Sequence, residues 1–60
     1  MTVIRYARLT ALLARIDQEI AEAEALAREA PEPLVRQQAK MLMESLKLDR
    51  EAAENLLAEQ

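Results

Sequence analysis

Few side chains have the type and spacing to do chemistry: two carboxylate pairs, Glu19 with Glu22 and Glu51 with Glu54, and a lone serine, Ser45. Carboxylates three apart share one face of a helix and could be imagined as a metal cradle. The di-metal helical bundles, however, build their centres from Glu-x-x-His pairs, and this chain has no histidine. It has no cysteine either, so the usual general base, the thiol nucleophile and the N and S metal ligands are all missing. Ser45 has no candidate base nearby, and the complete lack of glycine excludes the glycine-dependent phosphate loops. The expectation is a non-enzymatic protein with no catalytic, metal or cofactor-binding residues, its carboxylate pairs forming a hydrated surface.

The elements that carry these residues are helices. Twelve Ala and ten Leu with Glu, Arg and Gln, and without Gly, Phe or Trp, favour helix almost throughout. The exception is Ala30-Pro31-Glu32-Pro33. Each proline pushes the residue before it out of the helical region, while Pro33 suits the first position of a new helix. The pattern predicts an all-α fold: an antiparallel two-helix hairpin over residues 1–60, with helix 1 over about 2–29, a turn at 30–33 and helix 2 over about 33–59. Thr2 is placed to cap helix 1.

Sixty residues bury only about 60% of their unfolded surface, and neither disulfides nor a histidine or thiolate metal site can reinforce so small a fold. Association is the remaining reinforcement, as a homodimeric four-helix bundle, a larger helical assembly or half of a complex. No apolar run approaches the roughly 18 residues of a membrane span, and no basic stretch leads into an apolar signal core, so a cytoplasmic location is expected. The net charge of −3 argues against unaided binding to nucleic acid or acidic membranes. Arg5, Arg8 and Arg15 could form a basic stripe in an RNA-binding hairpin dimer, but only Tyr6 is available to stack on bases.

Along helix 1, Tyr6, Leu9, Leu13, Ile16, Ile20, Ala23, Ala27 and Ala30 alternate spacings of three and four, a coiled-coil-like seam widened by Leu12 and Leu26. Ala7, Ala14, Ala21 and Ala25 line its back. In helix 2 the expected core seam is Val35, Ala39, Leu42, Leu46, Ala53 and Leu57, with Asp49 as its one charged member. A kink at Asp49 is the alternative to a continuous helix. Beside this seam runs a second one: Leu34, Gln38, Met41, Ser45, Leu48, Ala52 and Leu56. At 100° per residue the apolar sector exceeds half the circumference, more than one facing helix covers. The second seam is therefore the candidate interface.

Charge supports the hairpin. Arg5, Arg8 and Arg15 begin helix 1 with no acid before Asp17, and Glu51, Glu54 and Glu59 end helix 2, so each cluster opposes its own helix dipole. Folding back about residue 32 is expected to pair Arg5 with Glu59, Arg8 with Glu54, Arg15 with Asp49, Glu24 with Lys40 and Glu29 with Arg36. Such exposed pairs select register more than they stabilise.

One passage carries a resemblance. Gln37-Gln38-Ala39-Lys40 followed by Leu42 and Leu46, after an Ala/Leu/Arg-rich first helix and a proline-containing turn, resembles the small cytoplasmic E components of type III secretion systems. These are helical-hairpin co-chaperones that help hold the needle subunit before export. The resemblance implies that the apolar seams bind a larger helical-repeat chaperone. A small regulator or phage-type inhibitor that blocks a target protein is the alternative function.

Overall fold

The computed structural model describes residues 2–59; Met1 and Gln60, at the ends of the expected 1–60 span, lie outside the described residues. Two α-helices, α1 (Val3–Glu29) and α2 (Pro33–Ala58), pack against each other as a hairpin in a rod of 45 × 14 × 10 Å. Thr2 sits in the extended region, and its Oγ1 accepts a hydrogen bond from the Arg5 N–H at 3.2 Å. Replacing Thr2 with Ala leaves that N–H to water and is expected to cost about 0.5–1 kcal/mol in urea denaturation at fixed chain concentration. No change at all would mean that the first turn frays in solution.

At the turn, Ala30 and Glu32 both leave the helical region, as residues before proline do, and Pro33 opens α2. Glu32 makes no side-chain cap. Instead Arg36 reaches back, its Nη1 donating to the carbonyls of Ala30 at 2.7 Å and Pro31 at 3.1 Å. That one guanidinium satisfies backbone acceptors at the end of α1, where a cation also suits the helix dipole. α2 runs unbroken through Asp49. Among the described residues, no helix is long and apolar enough to cross a membrane.

The core is built on seven-residue rows. Leu9, Ile16, Ala23 and Ala30 are buried on α1, and Ala39, Leu46 and Ala53 on α2. Leu9 and Ala53, Ile16 and Leu46, and Ala23 and Ala39 are each equidistant from Pro31 along the chain, so the fold reverses about Pro31 rather than residue 32. Large side chains fill the open end and the middle. Near the turn the buried side chains are all alanine, with Val35 half-buried beside them, which lets the helices approach closely.

The rows beside the core distinguish the two long edges of the hairpin. Four residues after each buried position come Leu13, Ile20 and Ala27 on α1 and Met43 and Leu57 on α2, all half-buried. Arg50 belongs to the same row, and its Nε meets Asp17 Oδ1 at 2.8 Å across the helices. This edge is closed. Three residues after each buried position come Leu12, Glu19 and Leu26 on α1 and Leu42, Asp49 and Leu56 on α2, and the four leucines stay 40–51% exposed. Antiparallel helices turn in opposite senses seen from one end, so these rows share the other edge, which is open.

Leu42 was expected in the core seam; Met43 takes that place. The row of Leu42 contains Asp49, whose short side chain cannot be buried without a partner, so the row turns toward water. The competing row carries Arg36 and Arg50, long enough to lay their stems on the core edge while their heads find oxygen. Tyr6, expected to begin the α1 seam, is 56% exposed. Among the described residues none of the five expected cross-helix charge pairs is formed. Arg8 and Glu54, and Glu29 and Arg36, lie on opposite edges, while Arg15 turns to Glu19 on its own helix at 3.4 Å.

Candidate functional site

The structure holds every residue of the second seam on the surface. Leu34, Met41 and Leu48 form a seven-residue row on α2 and are 63%, 64% and 68% exposed. Gln38, Ser45 and Ala52 form the next row toward the core, also exposed. Leu56 stands one row nearer still, in line with Leu42 on the open edge. The expected seam therefore falls on three adjacent rows, and α2 presents a surface that is apolar, small or uncharged from Leu42 round to Met41. Its one acid is Asp49.

Sequence spacing left Leu12 and Leu26 as widening residues of the α1 seam. They are 45% and 51% exposed on the same open edge as Leu42 and Leu56. At its turn end this edge dips into an open, mainly apolar depression lined by Ala25, Leu26, Ala30 and Pro31 between the carboxylates Glu22 and Glu29. The signal for this part of the surface was present in the leucine spacing. What the spacing lacked was the side on which the core closes.

The carboxylate pairs stay on the surface. Glu54 Oε1 lies 3.3 Å from Arg50 Nε, so Arg50 forms ion pairs with both Asp17 and Glu54. Glu19 is taken by Arg15. Among the described residues no group of acidic side chains is gathered closely enough to hold a metal ion, and no polar or charged side chain is buried. Ser45 is exposed between apolar rows. What the arrangement offers chemically is apolar contact.

No protein-family model matches the chain, and neither a curated protein nor a solved structure matches it significantly.

Proposed function

We propose that this hairpin is a non-enzymatic protein-interaction module, a small chaperone or adaptor that acts through the second seam of α2. The observation that supports the reading is the row Leu34, Met41 and Leu48, three long apolar side chains each more than three-fifths exposed. Contiguous apolar surface of this kind marks contact with another macromolecule, and unbranched methionine adapts to irregular partners. The surface continues onto the open edge at Leu42 and Leu56, on either side of Asp49. The chaperone sense of the proposal, and with it a cytoplasmic location, rests on the resemblance of Gln37-Gln38-Ala39-Lys40, Leu42 and Leu46 to the secretion co-chaperones.

The test is Met41→Glu together with Leu48→Glu. Neither side chain belongs to the core, so circular dichroism should show the helices retained. Association, whether with itself or with a partner, should weaken by 10-fold or more, since each charge has to be desolvated at the contact. Binding of the dye ANS should fall with it. Unchanged association would put the working surface elsewhere, and a wild-type chain that neither associates nor binds ANS would remove the basis for an interaction function.

A further inference from the structure

The rows that flank the open edge carry a pattern that names a partner. On α1 the exposed row beside Leu12 and Leu26 is Arg8, Arg15, Glu22 and Glu29, at seven-residue intervals: two cations, then two anions. Reversed in direction, this row is the complement of itself. Laid against an identical helix running the opposite way, Arg8 comes level with Glu29 and Arg15 with Glu22, twice over.

The shape repeats the pattern. Glu22 and Glu29 bracket the depression formed by Ala25, Leu26, Ala30 and Pro31. Arg8 and Arg15 bracket Leu12, an apolar knob 45% exposed. The antiparallel alignment that joins the charges therefore also brings Leu12 to the mouth of the depression.

Level agrees with that fit. The centre of the α1 row lies between Gln18 and Glu19. About Pro31 that level corresponds to Met43 and Glu44 on α2, next to the midpoint between Met41 and Leu48. One two-fold axis across the rod thus serves both helices, setting Met41 of each copy near Leu48 of the other.

We propose that a second copy of this chain docks on the open edge, α1 against α1 in opposite directions, with Leu12 of each copy entering the depression between Glu22 and Glu29 of the other. The product is a four-helix bundle with its two turns at opposite ends; the open-edge acids come to its seam as well, Glu19 accompanied by Arg15 and Asp49, among the described residues, without a cation of its own. It rests on the interaction reading above and gives that reading its partner. The alternative bundle, with both turns at one end, would set Arg8 and Arg15 against Gln38, Ser45 and Ala52, which carry no charge to meet them.

Two variants and one distance test this. Wild type should show twice the 6.8 kDa chain mass in light scattering. Arg8→Glu with Arg15→Glu makes the row wholly acidic, and Glu22→Arg with Glu29→Arg makes it wholly basic. Each alone should weaken the dimer roughly 10- to 100-fold at low salt, less so in about 0.5 M salt, with helicity kept. Mixed in equal amounts, the two should pair again. Because the chain has no cysteine, Glu32→Cys gives a single spin-label site at the turn. The label-to-label distance should be about 40 Å, twice the helical rise from the axis to the turn.

A dimer indifferent to the four charges, or turns within about 25 Å of each other, would overturn the proposal. So would a wild-type monomer at every concentration. If that monomer still bound ANS, and lost it with Met41→Glu and Leu48→Glu, the interaction reading would stand and only the second copy would be wrong as its partner.

Discussion

Leu46→Ala should destabilise the hairpin by about 2–4 kcal/mol, more than any other single truncation on α2. Leu46 is 6% exposed and lies level with Ile16, also 6% exposed, in the middle of the rod. Among the described residues, only Leu9, Ile16 and Leu46 of the buried set are larger than alanine, so each carries a large share of the apolar burial. A fold of this size has a total stability of only a few kcal/mol to lose. The informative control is Leu42→Ala. Both variants are best read on the Arg8→Glu/Arg15→Glu background, so that burial between copies does not contribute. There Leu42, 51% exposed, should cost about 1 kcal/mol or less by urea denaturation. Equal losses at the two positions would mean that the core closes on the Leu42 row after all.

Ala23→Leu should destabilise as well, by about 1–3 kcal/mol, although it adds apolar surface and leaves helix propensity nearly unchanged. Ala23 is 1% exposed, and Ala39, at the same distance from Pro31, is 5% exposed. A leucine there has no space to enter unless the helices separate. Separation near the turn would strain the three-residue connection and pull Arg36 from the carbonyls of Ala30 and Pro31. Ala14→Leu, on the exposed back of α1, makes the same chemical change without a facing helix and should stay within about 0.5 kcal/mol. Thermal melts at matched concentration would decide. A stabilising Ala23→Leu would show that the turn end is loosely packed.

The hairpin itself was legible in the sequence because its signals are local. Two prolines bracket the break, a threonine precedes the first helix, and leucine and isoleucine give way to alanine toward the turn. The choice between Leu42 and Met43 was not legible. They are neighbours on the chain about 100° apart on the helix, and both lie at the margin of one broad apolar sector. What decides between them is which margin carries charged side chains that can be accommodated. Asp49 is too short, whereas Arg36 and Arg50 reach oxygen from the core edge. The expected charge pairs failed for a related reason: folding about residue 32 rather than Pro31 set every partner except that of Arg8 two or three residues too far along α2, and the side of the helix was left out. The exposed row Leu34, Met41 and Leu48 needed only the excess width of the sector. The row Arg8, Arg15, Glu22 and Glu29 is equally plain as a repeat, yet it acquires a meaning only beside an edge known to be open.

The seven-residue interval of the buried rows has a further effect on shape. An undistorted α-helix falls short of a seven-residue repeat by about 20° each time, so a row kept at that interval winds left-handedly around its helix axis. Over the 27 residues of α1 this amounts to nearly a quarter of a turn. The open edge winds with it. A flat sheet or a straight groove laid along the rod would meet Leu12 and lose Leu26, or the reverse. A surface that follows the whole edge has to turn with the same hand and pitch, which restricts good partners to helices carrying a matching repeat.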